Sequence, residues 1–368
     1  MMTMANVASS FFLMIPVVYW VIINRFIDDG PKAHDRGKIA KSFTIILPMR
    51  NESEHASRKI DSIVSEIGSQ NNVDLIVVDS FSRDNTGRIA EETLVSSVIP
   101  KDRWKLIRVE KPGKCHAINV AMEQIESEVI VISDADAIVA EGWFEIIRDA
   151  LASEEIGAIS GVENVETIRT GKFERYYRMK SNQLRVKESK MDSTPILEGS
   201  ILAWKRKVAM DFKFDESSNA DDAQISLQII KSGLRSVVSP DVSFHSSRKL
   251  GSFFQKSIRR SQGLSRALIK NWRLCFSAPR KGARVAIIAS IATYVFFPWF
   301  LFLFLINTIL AMSMWGVGNF YWPYLSSAMA IYLLVSPQGR FVLTGMVVSI
   351  SAHLQHIFGI RYSNWDPE

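Results

Sequence analysis

The sequence predicts an α/β domain with a mixed, mostly parallel sheet, joined to transmembrane helices. Three observations carry this. Short apolar runs alternate with helical patterns from residue 43 to residue 132, the sign of a parallel sheet with helices on its faces. The fourth run, Val129-Ile130-Val131-Ile132, leads through Ser133 into Asp134-Ala135-Asp136, so two carboxylates stand one residue apart beyond a buried strand. Both ends of the chain hold long stretches without a charged residue.

The elements follow in order. Residues 43–47 are an apolar run stopped by Pro48, a strand. Residues 51–67 set Ile60, Ile63, Val64 and Ile67 at helical spacing before Gly68. Residues 73–78 form a second strand ending at Asp79, and 84–98 a helix that Asp84 is suited to cap. Residues 104–109 are a third strand. Pro112-Gly113 opens a helix over 114–125, and 129–132 is the fourth strand. Past Asp136 the pattern loosens, with strands near 158–162 and 237–238 and helices near 143–151, 173–190 and 223–231. The basic and aromatic stretch 173–190 reads equally as a face toward an acceptor or membrane and as a solvated surface.

The chain has 368 residues, enough for a domain of about 240 plus membrane segments. Residues 1–24 contain no Asp, Glu, Lys or Arg, and a helix over 7–23 could just cross a ~30 Å hydrocarbon core. We expect an uncleaved anchor over 1–26. A signal peptide would need a basic opening and a small-x-small site, and neither precedes Arg25. Residues 285–339 are uncharged and far too long for one crossing, so they must fold back; the Gly/aromatic/Pro stretch 316–323 is the natural turn and Pro298 a kink. Residues 341–360 make a third span or an in-plane helix.

The net charge of +6 is uneven: residues 248–284 hold eleven Lys and Arg and no acid. The positive-inside rule places them in the cytosol. Anionic headgroups would attract them at about 1 kcal/mol per basic residue. Phe253, Phe254, Ile258, Leu264 and Trp272 interleave with these cations, as in a helix lying in the interface. A nucleic-acid site is the other reading of a basic run, and its place before a span argues against it. The expected domains are an anchor (1–26), a catalytic α/β domain (37–247), a basic amphipathic region (248–282) and a membrane region of two or three spans (283–368). Cys115 and Cys275 give neither a disulfide framework nor metal spacing.

Asp134 and Asp136 together suit a hard cation, Mg²⁺ or Mn²⁺, carrying a diphosphate at the carboxyl edge of the sheet. The same spacing also occurs in turns and helix caps. Taken in order, Ile46-Leu47-Pro48-Met49-Arg50-Asn51-Glu52, Leu75-Ile76-Val77-Val78-Asp79-Ser80, Lys111-Pro112-Gly113-Lys114, Asp134-Ala135-Asp136, Glu198-Gly199, Ala220-Asp221-Asp222 and Gly233-Leu234-Arg235 resemble the family-2 glycosyltransferases of GT-A fold. These are inverting enzymes with a Rossmann-like, nucleotide-sugar-binding domain. The resemblance covers about residues 42–275.

It implies a role for each match. Asp79 would accept a hydrogen bond from the nucleobase, with Pro48 and Glu52 lining the nucleotide pocket. Lys114 would meet phosphate, and Asp134 would touch the ribose or support the metal. Asp136 would bind Mg²⁺ or Mn²⁺. Gly199 would let the backbone pass close to sugar or acceptor. Asp222 would be the general base for the acceptor hydroxyl, and Asp221 stands where the family often has Glu. Local readings compete: Asp79 as a cap, Glu52 as a first-turn acid, Lys114 as a surface lysine, Asp221-Asp222 as capping acids. His245 is either a metal or phosphate ligand or a structural histidine.

Two departures matter. Ser80 replaces the family's second Asp. Processive synthases carry Gln-x-x-Arg-Trp, whereas Gln262-Gly263-Leu264-Ser265-Arg266-Ala267 has different spacing and no Trp. We therefore expect transfer of one sugar from a UDP- or GDP-sugar to a lipid or lipid-linked glycan hydroxyl at the cytosolic face of the cell membrane, by a multi-pass protein that does not bind nucleic acid. The alternatives are a polyprenyl-phosphate glycosyl synthase, which needs no base, and a processive polysaccharide synthase. A transporter is disfavoured by the uncharged spans, and a Rossmann dehydrogenase by the absence of G-x-G-x-x-G after the first strand.

Overall fold

The computed structural model of the chain describes residues 2–27, 38–68, 70–168, 171–247, 253–314, 328 and 331–360. The expected turn at 316–323 and the domain limits at 37 and 248 lie outside them. Helix α1 (Met2–Phe26) contains Pro16. Strand β1 (Phe43–Met49), helix α2 (Ala56–Ile67), β2 (Val73–Ser80), α3 (Thr86–Ser96) and β3 (Trp104–Val109) follow. Next come α4 (Lys114–Met122), β4 (Val129–Ser133), β5 (Ala137–Val139), α5 (Trp143–Ala152) and β6 (Ile156–Glu163). Helix α6 (Lys172–Met191), β7 (Ile201–Lys205), α7 (Asp221–Lys231) and β8 (Arg235–Ser246) complete the α/β part.

The strands form one sheet in the order β3-β2-β1-β4-β7-β6-β8-β5. β1 pairs in parallel with β2 and β4, and β2 with β3; β7 runs antiparallel between β4 and β6. The central strands are buried on both faces, which is why they read as unbroken apolar runs rather than alternating ones. Phe43, Ile45, Leu75, Val77 and Val131 pack on one side with α2 and α5, while Ile46, Ile76, Val78, Ile130 and Ile132 pack on the other with α4 and Trp204.

Several expectations change. Pro48 does not stop β1; the strand runs through it to Met49. Pairing to β4 ends at Ile46, so by Pro48 only β2 adjoins and the missing N–H is tolerated. Helix α2 starts at Ala56 instead of residue 51. Asn51 is left-handed (φ 50), and its N–H donates to Ser82 Oγ at 3.0 Å, which ties this loop to the one after β2. Strands β5 and β7 are additional to those expected.

Stretch 173–190 is neither solvated nor acceptor-facing alone. In α6 Arg178 and Arg185 turn inward to Glu198, and Phe173, Tyr176 and Tyr177 surround Phe341 at 5.5, 5.5 and 5.8 Å between ring centroids. Tyr19 Oη donates to Glu188 at 2.8 Å, fastening α1 to α6.

Beyond the sheet lie α8 (Phe253–Lys270), α9 (Leu274–Ser277) and α10 (Lys281–Ile291). A π-turn (Ala292–Phe296) joins α10 to α11 (Phe297–Met314), and α12 spans Pro337–Ile357. The widened turn stands directly before Pro298, whose ring would clash with the carbonyl four residues back in a regular helix. Helix α8 spends much of its apolar face on protein: Ile258 packs on Val348 and Ala352, and Ala267 packs on Ala220 and Ala223. Ile269, Trp272 and Phe276 stay exposed. Among the described residues one helix, Lys281–Ile309, is long and apolar enough to cross a membrane, with a shorter apolar helix at Leu13–Arg25. The expectation of two or three C-terminal spans is not supported among these residues.

Candidate active site

Asp79, Lys114, Asp134 and Asp222 lie at the ends of elements along the carboxyl edge of the sheet, whereas Gln262 and Arg266 lie within α8. Asp79 closes β2, where Phe81 adopts φ 58. Its carboxylate accepts from Ser82 N–H at 3.1 Å, and a Cβ on Gly87 would come within 2.4 Å of Asp79 Oδ2. The carboxylate thus caps the turn after β2. Ser80, buried, accepts from Gly113 N–H at 3.1 Å and so binds the end of β2 to the loop that opens α4. Glu52 is buried, and its N–H donates to Thr86 Oγ1 at 2.7 Å; Asp84 caps α3 through Thr86 N–H at 3.0 Å. Pro48 and Asp79 therefore lie near the ends of β1 and β2, and Glu52 lies on the first of the two interlaced loops that follow these strands.

Lys114 is the hub. Gly113, at φ 151, starts α4 and places the Lys114 ammonium 2.8 Å from Asp134 Oδ1 and 2.9 Å from Asp221 Oδ2. Burial works against its charge, but Asp134 and Asp221 outweigh that and hold it above the usual lysine range. It is a buried double ion pair rather than a surface lysine. Gly199 lies beside this hub: a Cβ there would be 3.3 Å from Lys114 Nζ and 3.4 Å from Asp221 Oδ2. Asp134 is also held by the residue that precedes β7, its N–H donating to Ser200 O at 3.2 Å.

Asp221 and Asp222 open α7, where first-turn acids are favoured by the helix dipole. Asp222 Oδ1 accepts from Ala223 N–H at 2.7 Å. Burial, then the neighbouring Asp221 and Glu198, push the Asp222 carboxyl up to about 7, against the pull of Arg185. Burial likewise raises Asp221, although Lys114 opposes it. Glu198 is buried between Arg178 and Arg185; burial would raise its carboxyl, but Arg185, Arg178 and Arg260 bring it down to about 2. A fixed anion thus stands close to Asp222.

Three contributors were not expected from the sequence. Lys59, fully buried, donates to Ser133 Oγ at 2.7 Å and to the Ala137 carbonyl, bracketing the Asp134–Asp136 turn from below. Burial lowers it to about 8, while Asp134 and Asp136 oppose that shift. Its signal was available: Ala56, Lys59, Ile60, Ile63 and Ile67 fall on one buried stripe of α2. Arg178 and Arg185 are two helical turns apart on one face of α6, but their partners Glu163 and Glu198 are distant in sequence.

Asp136 is half-buried at the start of β5. His245 pairs with Ile138 across the β5–β8 ladder, two residues from Asp136, and Ser247 N–H donates to Asp136 O at 2.9 Å. Burial, with Arg58 and Lys59, lowers the His245 imidazole. Gln262 and Arg266 share one side of α8. Gln262 donates to Ile360 O at 2.9 Å, and Arg266 donates to Ser217 O at 2.5 Å and to Ser217 Oγ at 2.7 Å, holding the loop that leads to Asp221.

No group of three His, Cys, Asp or Glu side chains that could hold a metal exists among the described residues. A divalent cation at this edge would meet the carboxylates of Asp134 and Asp136. That donor set fits Mg²⁺ or Mn²⁺ shared with phosphate and water, and does not fit a closed all-protein cage.

Comparison with known proteins adds the context. The profile of "Glycosyl transferase family 2" matches residues 44–212, and that of "Glycosyl transferase family group 2" matches residues 129–349. The mannosyltransferase PcManGT of Pyrobaculum calidifontis, solved with GDP-Man and Mn²⁺, is 24% identical with a TM-score of 0.80, over 98% of this chain and 99% of that one. Staphylococcus aureus TarS 1–349, solved with UDP-GlcNAc, is 13% identical with a TM-score of 0.51, over 85% and 92%. Glycosyltransferase AglE of Haloferax volcanii is 26% identical over 123 residues, 33% of this chain. The poly-beta-1,6-N-acetyl-D-glucosamine synthase of Staphylococcus epidermidis is 25% identical over 167 residues, 41% of this chain. These matches span 39% and 38% of the two relatives' own lengths.

Proposed function

The chain belongs to glycosyltransferase family 2 and has its GT-A fold, and from that premise we propose that it transfers one sugar from a nucleoside-diphosphate sugar to the hydroxyl of a lipid or lipid-linked glycan, with inversion. The observation that carries this reading is the hub at Lys114. It joins Asp134, on the donor side of the sheet edge, to Asp221, the neighbour of Asp222 on the acceptor side, with Gly199 packed closely beside the ion pair.

Each residue then has work to do. The ends of β1 and β2, with Pro48 and Asp79, and the loop bearing Glu52 take the nucleotide, with Asp79 against the base. Asp134 supports the ribose and Lys114 keeps Asp134 and Asp221 in register. Asp136, with His245 close by, would hold Mg²⁺ or Mn²⁺, which supplies positive charge against the leaving diphosphate. Asp222 takes the proton of the acceptor hydroxyl as that oxygen attacks the anomeric carbon; a carboxyl near pH 7 is matched to this task. Glu198, fixed by two arginines, favours the proton on Asp222 once it has arrived. One displacement from one face inverts the centre.

The lipid acceptor is supported by the apolar helix Lys281–Ile309, by the exposed Ile269, Trp272 and Phe276, and by the run of cations over 248–284. In this reading residues 37–247 form a cytosolic catalytic domain between the anchor 1–26 and the membrane region 283–368, with 248–282 along the anionic surface. The test is to incubate membranes holding the full chain with labelled UDP- and GDP-sugars and to extract the lipids. Label should enter the lipid fraction from one donor and be lost in Asp222→Asn. Label confined to released free sugar would refute a lipid acceptor.

A further inference from the structure

A cavity of about 630 Å³ lies between α8, the π-turn and start of α11, α12, and the 212–218 loop. That is the size of a small-molecule site. Phe212, Ile269, Val295 and Ile357 give it apolar walls. Ile269 is also half-exposed on the outer surface near Trp272, so the apolar lining continues into an exposed apolar patch.

Polar side chains make up the larger part of the lining residues, and those along one wall are bonded to one another. Trp299 Nε1–H donates to His353 Nδ1 at 2.9 Å, so a neutral His353 carries its proton on Nε2 and donates it to Ser265 Oγ, also 2.9 Å away. This chain joins α11, α12 and α8 along the wall. Lys213, Arg266 and Lys270 stand in the lining against one carboxylate, Asp215. Lys270 reaches that carboxylate at 3.3 Å and keeps 70% of its side chain exposed.

The cavity also backs onto the reaction site. Ser218 and Gln224 line it, four residues before and two residues after Asp222. At ~3.3–3.6 Å per extended residue the wall at Ser218 comes within about 14 Å of Asp222. Arg266, in the same wall, clamps Ser217.

We propose that this cavity seats the lipid end of the acceptor, an amphiphile whose chain lies on the apolar walls and whose phosphate meets Lys270 and Arg266. The assignment of the lipid as acceptor rests on the function proposed above; the binding site itself does not. A glycan attached beyond that phosphate would extend along α7 toward Asp222.

The probes are farnesyl phosphate, farnesol and inorganic phosphate, bound to the detergent-solubilised full chain and read by native mass spectrometry, with nucleotide-sugar binding as the check on folding. Farnesyl phosphate should bind at least about tenfold tighter than farnesol, the effect of one charge-assisted contact. Inorganic phosphate should not displace it. Ala352→Phe, which fills the cavity from α12, should lose both amphiphiles, and Lys270→Gln should lose only the preference for phosphate. Farnesyl phosphate should compete with labelled lipid acceptor, and phosphatidylglycerol should not displace it. Unchanged binding in both variants would overturn the site, as would equal displacement by inorganic phosphate. Transfer to lipid that continues unaltered under saturating farnesyl phosphate, or displacement by phosphatidylglycerol, would overturn the acceptor assignment. Binding is read without turnover, so a failure of the lipid-acceptor function leaves the binding result standing and is told apart from it.

Discussion

Replacing Lys114 by Met tests the architecture of the site most directly. The change keeps the stem but removes a cation that lies 2.8 Å from Asp134 and 2.9 Å from Asp221, with side-chain exposures of 15%, 25% and 5% for the three residues. Two carboxylates are then left facing each other with no cation between them. Breaking a buried pair by removing one partner costs about 3–5 kcal/mol. At roughly 2–4 °C per kcal/mol for a domain of this size, the melting temperature should fall by about 6–20 °C at pH 7. The deficit has a pH signature. Burial and Asp134 already raise Asp221, and loss of Lys114 removes the opposing cation. A group whose folded value is raised contributes stability that is fully present below its unfolded value, about 3.9, and is lost as pH rises through the folded one. The gap between variant and wild type should therefore narrow as pH falls from 7 toward 4. Asp221→Asn in the Lys114→Met background should recover part of the loss, because the two positions are coupled. Thermal unfolding of the purified full chain checks all three. A shift below about 4 °C at pH 7, or a deficit independent of pH, would refute the buried double ion pair.

The remaining predictions concern turnover and topology. Log kcat/KM for transfer should fall with unit slope below about pH 7, where Asp222 becomes protonated; Asp222→Asn should flatten that limb and cut transfer by roughly 10²-fold or more while donor binding persists. A full-rate Asp222→Asn enzyme would move the base to another group, Asp221 first. Chelation by EDTA should abolish transfer and Mg²⁺ or Mn²⁺ restore it, with Asp136→Asn lowering cation affinity measured directly by titration; full activity in excess chelator would count against a metal. A cysteine placed at Arg88, whose side chain is exposed, should resist an impermeant reagent applied to intact cells. Labelling from outside would reverse the proposed orientation.

Strands β1, β2 and β4 were legible because they are buried on both faces at nearly every position, which gives a nearly unbroken apolar sequence, whereas β3, at the sheet edge with Lys105 and Arg108 exposed, was legible from its place in the alternation of strands and helices. Asp79, Asp134 and Asp222 could be singled out because each stands where an element ends or begins, and such places are recognisable in a chain without knowing its partners. By contrast, β7 pairs antiparallel with β4 and β6 from a distant part of the chain, and only that pairing makes five residues, Ile201–Lys205, a central strand. The ion pairs were equally hidden. Lys114 looked like a phosphate-binding cation after a glycine; its double engagement depends on bringing residues 134 and 221 to within 3 Å of one ammonium. Arg178 and Arg185 read as a charged surface until Glu198 met them from the loop before β7. The sequence by itself determined the class of the domain, the edge of the sheet where chemistry would lie, and the carboxylates offered there. The tertiary structure alone decided which charges neutralise one another and how far burial raises Asp222. The physical reason is that periodicity and element ends are local properties of a chain, whereas the strength of a charge depends on the dielectric and on partners that only folding assembles.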